Sequence, residues 1–202
     1  MTAIMPTEPV AAAQRTFRTL LNAMANPGTV HLLEPRPGET PEEAIAFALC
    51  DHEVTFAVVD EPEQPVQRGA VPVARRIALR TGSVEVEIGA GAFVFAYAPL
   101  GDDRWREVRR GTLAYPDGGA TVVYVLPAVG AGPLALTLTL TLVGPGIETA
   151  QRLSLAGFER SEIAARDRAC EDYPMGVDCV FVDGAGRVAC LPRSTSVQIE
   201  EA

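Results

Sequence analysis

Lysine is absent from this chain. All 17 basic side chains in its 202 residues are arginine, which removes the ammonium required for Schiff-base catalysis and for a P-loop phosphate site. Histidine is nearly absent as well. His31 and His52 are the only imidazoles, and they form no His-x-x-x-His or comparable metal-ligand pair. Asp51 and Glu53 are immediate neighbours of His52 and project to the opposite face in extended backbone, so they make a poor triad with it. His52 is therefore expected to be structural or solvent-facing. The four cysteines, Cys50, Cys170, Cys179 and Cys190, lack CxxC spacing, which points away from a zinc site or a thioredoxin-like pair and toward buried, reduced thiols. No apolar run approaches the roughly 20 residues of a membrane-spanning helix, and Met1 to Pro6 carries no basic flank of a secretion signal. The expectation is a cytoplasmic protein with no membrane partner. No nucleophile with its base, metal cluster or cofactor loop stands out, so no catalytic residue, metal or cofactor is expected.

Acids outnumber bases by 26 to 17, for a formal charge of −9. Phosphate backbones demand a concentrated basic surface, so no nucleic-acid partner is expected. The length suits one domain over residues 1–202, with one continuous core and no internal repeat.

Val10, Ala13, Phe17, Leu20, Leu21 and Met24 recur at steps of three and four, which predicts a helix with Gln14, Arg15 and Arg18 turned outward. Thr7 is placed to cap it. Asn26-Pro27-Gly28 ends it in a type II turn that feeds a short strand around Thr29 to Leu33. Thr40-Pro41-Glu42-Glu43 opens a second helix through Leu49, with acids at the positive end of its dipole. A strand from Val54 to Val59, a Pro-rich loop from Glu61 to Val71 and a helix from Ala74 to Arg80 closed by Thr81-Gly82 follow. Strands are expected over Ser83 to Ile88 and Ala92 to Ala98, then a short helix from Asp102 to Arg109 with Trp105 inward and Arg104, Arg106, Arg109 and Arg110 solvated. Tyr115-Pro116-Asp117-Gly118-Gly119 turns the chain into a strand from Ala120 to Leu126. Leu134, Leu136, Leu138, Leu140 and Leu142 alternate with threonines, the period-two signature of a strand with one strongly apolar face. A strand from Gln151 to Leu155, a helix from Phe158 to about Ala169, and a hairpin of Val177 to Val182 and Arg187 to Leu191 about Asp183-Gly184-Ala185-Gly186 complete the chain. Such interleaving indicates an α/β fold, a mixed sheet covered by helices.

Two places invite an anion. Gly144-Pro145-Gly146 follows a strand and offers glycine backbone to a phosphonate or triphosphate. Against this, Pro145 has no N–H, no basic side chain adjoins, and Ile147 is read as opening the next strand, so a tight link between strands is the alternative. Arg193, beside Ser194 and Thr195, has the fork to hold a phosphate, to fix the last strand or to grip another subunit. Gly144, Gly146, Arg193 and Ser194 are thus the candidate anion-binding residues. Glu171, Asp172 and Asp178 offer carboxylates for a pair, with solvation near a helix end as the favoured reading.

Taken in order, the Ala25-Asn26-Pro27-Gly28-Thr29 helix stop, Thr81-Gly82, Gly144-Pro145-Gly146-Ile147, Tyr173-Pro174-Met175-Gly176-Val177-Asp178 and Leu191-Pro192-Arg193-Ser194-Thr195 resemble the PhnH family, the H subunit of the bacterial carbon-phosphorus lyase system. The resemblance spans essentially the whole chain. The family usually has Phe, Leu and Thr where this chain has Tyr173, Met175 and Ser194. It implies a fold like a trimmed pyridoxal-phosphate-dependent transferase without the cofactor, and the missing lysine independently excludes an internal aldimine. It further implies a homodimer that joins the other core subunits, G, I and J. In such systems the G, H, I and L proteins attach a phosphonate to C1 of the ribose of ATP with release of adenine, and a radical iron-sulfur subunit later breaks the carbon-phosphorus bond. The implied role is structural or docking, not catalysis by this chain alone. The alternatives are direct binding of phosphonate or nucleotide, and a free-standing regulator.

Overall fold

The structure, a computed structural model, describes residues 7–60, 71–131 and 137–200. Most of the Pro-rich loop and the alternating Leu134 and Leu136 lie outside these residues.

A central sheet of seven strands organises the molecule. Its members are β1 (His31–Leu32), β2 (Thr55–Val59), β3 (Val84–Glu85), β4 (Phe93–Ala96), β5 (Thr121–Leu126), β9 (Asp178–Asp183) and β10 (Arg187–Leu191), in the order β1-β10-β9-β5-β4-β2-β3. The strands from β9 to β3 run parallel, and the β9–β10 hairpin and β1 add antiparallel pairs. Because both faces are covered, the inner strands read as near-continuous apolar runs, TVVYVL and DCVFVD. Successive side chains alternate between the two sides. Val123, Val180, Val182 and Phe95 join one apolar cluster, and Val122, Tyr124, Cys179, Phe181 and Val94 join the other.

Three helices, α1 (Glu8–Ala25), α2 (Pro41–Leu49) and α3 (Val73–Thr81), supply the first cluster with Leu20, Ala23, Ile45, Ala46, Val73 and Ile77. Helices α4 (Gly101–Glu107) and α5 (Arg160–Ala169) supply the second with Trp105, Ile163 and Ala165. The mixed α/β expectation holds, and so do most element positions. Thr29 N–H donates to the Asn26 carbonyl at 3.2 Å with Gly28 at φ +83°, the geometry of a type II turn. Gly82 ends α3 in the left-handed conformation.

Four features depart from the sequence reading. The strand expected from Ser83 to Ile88 is reduced to β3 and followed by a 3-10 turn over Ile88–Ala90. Ile147 lies in a loop, and the next strand opens only at Gln151. A second, antiparallel sheet is present, β11-β7-β8-β6, built from β6 (Ala128–Gly130), β7 (Thr137–Val143), β8 (Gln151–Ala156) and β11 (Ser196–Ile199). Neither β6 nor β11 carries a run long enough to announce itself. This sheet turns Leu140, Leu142, Leu153 and Leu155 into the same apolar cluster as Tyr124 and Phe181, so the two sheets share a core. The fourth departure concerns α1. Its buried stripe is Ala12, Thr16, Leu20 and Ala23, whereas Val10, Phe17 and Leu21 of the expected apolar face stand exposed. Among the described residues no helix is long and apolar enough to cross a membrane.

Candidate functional site

The Leu-Pro-Arg tail lies where the chain leaves the seven-stranded sheet and enters the four-stranded one, between β10 and β11. Two arginines hold this crossing. Arg166 of α5, only 2 % exposed, donates through Nη1 to the Thr195 carbonyl at 2.8 Å and through Nη2 to the Pro192 carbonyl. Arg193 turns the other way. Its Nε and Nη2 donate to Asp178, at 2.7 Å for the shorter contact, its Nη1 donates to the Pro116 carbonyl at 2.7 Å, and its own N–H donates to Asp178 at 2.8 Å. Burial works against the guanidinium charge, and the Asp178 carboxylate outweighs it, so the Arg193 pKa is raised above its ordinary value.

Glycines make room for this socket. A Cβ on Gly119 would stand 2.3 Å from the Gly176 carbonyl and 2.9 Å from the Arg193 guanidinium. On Gly176 it would meet both the Arg193 Cβ and the Cys170 Sγ at 3.1 Å. Arg193, Asp178, Pro116, Gly119 and Gly176 therefore form one unit that joins three chain segments. Only Arg193 was singled out from sequence as a site residue. Asp178 departs from the expected solvated acid, because it is the half-buried partner that holds Arg193, while Glu171 and Asp172 are exposed as expected.

The other expected anion-binding residues are placed as follows. Gly144 lies against the backbone of Ser194 and Thr195, where its Cβ would come within 3.2 Å of each. Gly146, at φ +80°, faces the end of α1, and a Cβ there would approach the Ala25 carbonyl oxygen to 2.1 Å. The Gly-Pro-Gly loop joins the neighbouring strands β7 and β8 and at the same time seats the C-terminus of α1. The structure thus brings Gly144 and Ser194 together, directs Arg193 toward Asp178, and sets Gly146 on α1.

Glu162 carries no sequence signal, yet its carboxylate ties several elements together. Fully buried, its carboxylate accepts from the N–H groups of Leu100 at 3.1 Å and Gly101 at 2.7 Å, from Trp105 Nε1 at 3.0 Å and from the Tyr124 hydroxyl. Burial pushes the Tyr124 phenol well above its ordinary pKa, so it remains a donor. A carboxylate at the first turn of α4 also meets the positive end of the helix. Its four donors satisfy it in place, and it ties α4 and α5 to β5.

Cys50, Cys179 and Cys190 are buried and unbridged, while Cys170 is half-buried and donates weakly to the Val177 carbonyl. Burial pushes the Cys50 thiol up to about 12, and Cys179 and Cys190 are likewise pushed up by burial. These are inert thiols. His52 is exposed, as expected, and His31 contacts the Thr29 hydroxyl at 2.8 Å. Among the described residues no group of three or more His, Cys, Asp or Glu side chains could hold a metal ion.

Among the described residues, one face has no covering element. Val10, Phe17 and Leu21 of α1 are each about half exposed, and with Ala13, Phe47 and Ala48 they line a shallow apolar groove of about 590 Å³ between α1 and α2.

The family described as "Bacterial phosphonate metabolism protein (PhnH)" matches residues 6–198, a span that holds every turn motif named above. The chain belongs to the PhnH family. Two relatives place it more finely. A protein of Stutzerimonas stutzeri named as a C-P lyase subunit, HtxG, is 31% identical over 191 residues, covering 94% of this chain and 87% of the relative. The alpha-D-ribose 1-methylphosphonate 5-triphosphate synthase subunit PhnH of Rhizobium meliloti (strain 1021) is 27% identical over 201 residues, covering 96% and 94%. The PhnH match takes in the five helices of the described residues and both sheets except the last residue of β11, so the Arg193 socket and the exposed α1 face belong to the region shared with the family.

Proposed function

We propose that this PhnH-family chain is a subunit of a bacterial carbon-phosphorus lyase system. In this reading it supports attachment of an alkylphosphonate to ribose C1 of ATP with release of adenine, and it acts by docking and shaping the complex in the cytoplasm, without pyridoxal phosphate and without catalysis of its own. The observation that carries this reading is the way the polar groups are used. The two arginines of the tail, Arg166 and Arg193, are engaged by carbonyls and by Asp178, and Glu162 is saturated by four donors. Apolar side chains, by contrast, are left on the surface of α1. Groups spent inside the fold do little chemistry, and apolar surface left outside it marks association.

In this reading the exposed apolar face of α1 receives a second copy of the chain about a two-fold axis, with Phe17 and Leu21 as its anchors. Phe17→Glu is expected to convert the dimer to monomer, read by sedimentation. Docking onto the G, I and J subunits follows from the same role.

Co-expression of the tagged chain with those subunits, followed by mass analysis and an assay of adenine release from ATP plus methylphosphonate, tests the proposal. A stable complex whose activity needs this chain supports it. If the isolated chain instead binds ATP or methylphosphonate, and Arg193→Ala or Gly146→Ala abolishes that binding, the direct-binding reading replaces it, with Gly144, Gly146, Arg193 and Ser194 as its site.

A further inference from the structure

The arginines expected to be solvated between Arg104 and Arg110 are used in different ways. Arg104 pairs with Asp60, and Arg109 reaches the Ala90 carbonyl at 3.5 Å. Arg106 and Arg110 instead border a cleft of about 170 Å³ between α4 and α5, where Arg168 of α5 joins them. The apolar part of its lining is Trp105 with two alanines, Ala165 and Ala169, whose small side chains leave the cleft open. Among the described residues, Asp102 is the one acid that lines it. Asp102 accepts from Arg168 at 2.5 Å and stands 4.0 Å from Arg106, which also donates to the exposed Asp103 at 2.8 Å. The Arg110 side chain has no partner among the described residues. Exposed Glu171, Asp172 and Asp117 lie on neighbouring segments, but they do not line the cleft and pair with none of the three arginines.

We infer that this cleft is a binding site for a tetrahedral phosphorus oxyanion, whether inorganic phosphate, an alkylphosphonate or the terminal phosphate of a nucleotide. Three guanidiniums against one carboxylate leave a local excess of two positive charges on a chain whose net charge is −9. Such an excess, walled by low-dielectric side chains, concentrates an anion there. The cleft beside α1 and α2 shows the contrast. It holds Arg36 and Arg80 but also Glu34 and Glu39, and both arginines pair with Glu39, so its charges cancel. A guanidinium presents a planar fork that matches two phosphate oxygens, and the unpaired Arg110 has all of its donors free for one. Asp102 holds Arg168 against α4 and competes with the anion for it. The space admits a tetrahedral oxyanion, while a nucleotide enters only by its phosphate end. This site goes beyond the subunit reading and shares no residue with Gly144, Gly146, Arg193 and Ser194.

The test titrates the full-length chain with inorganic phosphate, methylphosphonate and ATP in separate calorimetric runs at low salt. Trp105 is the only tryptophan of the chain and lines the cleft, so its fluorescence reports on the same place. Saturable binding tighter than about 1 mM is expected for at least one anion, and the tightest of the three names the source. Arg110→Ala and Arg168→Ala are each expected to weaken it by about tenfold or more, with melting curves near wild type because both side chains are exposed. Arg80→Ala removes the same charge from the other cleft and is expected to leave the affinity unchanged. Asp102→Asn keeps an acceptor for Arg168 while removing the competing charge, and it is expected to tighten binding. Absence of saturation with all three anions overturns the inference. So does a loss in Arg80→Ala equal to that in Arg110→Ala, the mark of diffuse charge attraction. Neither result touches the subunit reading, which is decided by association with the other subunits.

Discussion

Glu162 and Arg193 show how far a residue's role depends on what the fold brings to it. A buried carboxylate is costly unless several donors meet it, and Glu162 has four. Glu162→Ala leaves the Trp105 and Tyr124 donors and two backbone N–H groups unmet, and it is expected to cost about 3–5 kcal/mol, measured as a lowered midpoint in urea. Gly146→Ala places a Cβ into the Ala25 carbonyl at positive φ, and it is expected to destabilise by about 1–3 kcal/mol with α1 fraying first in amide exchange. Cys50 supplies a pH dependence. Its thiol is pushed from about 9 to about 12, chiefly by burial and then by Asp51. The neutral thiol is favoured in the fold, so the contribution is fully present below pH 9 and is lost as pH rises toward 12. A Cys50→Ala variant is expected to lose less stability than wild type over that interval, read by thermal melts across pH. The chemistry excluded by the absence of lysine was legible from sequence alone. The partnership of Arg193 with Asp178, fifteen residues away, was not, because nothing local distinguishes a paired guanidinium from a free one.

At the scale of elements, period and punctuation found the helices and the longer strands, since these are local properties of side chains and turns. Burial was a different matter. The apolar positions of α1 predict its existence, yet they overstate its core face. Small residues at Ala12, Thr16 and Ala23 let the helix lie close to its neighbours and leave the larger Val10, Phe17 and Leu21 outside. Glu42 and Glu43 mislead in the opposite direction. Expected as acids at a helix start, both are buried, Glu43 against Thr40 and Arg76 and Glu42 against the Tyr97 hydroxyl. Phe17→Ser is expected to leave the melting temperature near wild type while weakening self-association, a separation that would not occur if Phe17 were a core residue. Glu43→Ala, in contrast, is expected to loosen α2 from α3, with a loss of about 2–4 kcal/mol in a denaturant titration.

For the whole molecule, an internally spent set of charges and an apolar α1 surface make a consistent picture with the subunit reading. Phe17→Glu is expected to give a folded monomer, because Phe17 is about half exposed and outside the core, and native mass analysis with an unchanged melting curve would show it.

The sequence by itself determined the absence of lysine chemistry, the sparse set of titratable ligands, the helix and strand periods, and the turn order that marks the PhnH family. These are properties of composition and of residues close together along the chain. Only the tertiary structure decided that the tail crosses between two sheets, that Asp178 and two glycines hold Arg193, that Glu162 gathers donors from α4 and β5, and which apolar side chains stay outside. Each of these depends on segments tens of residues apart meeting at hydrogen-bond or van der Waals distance, and no local pattern encodes such a meeting.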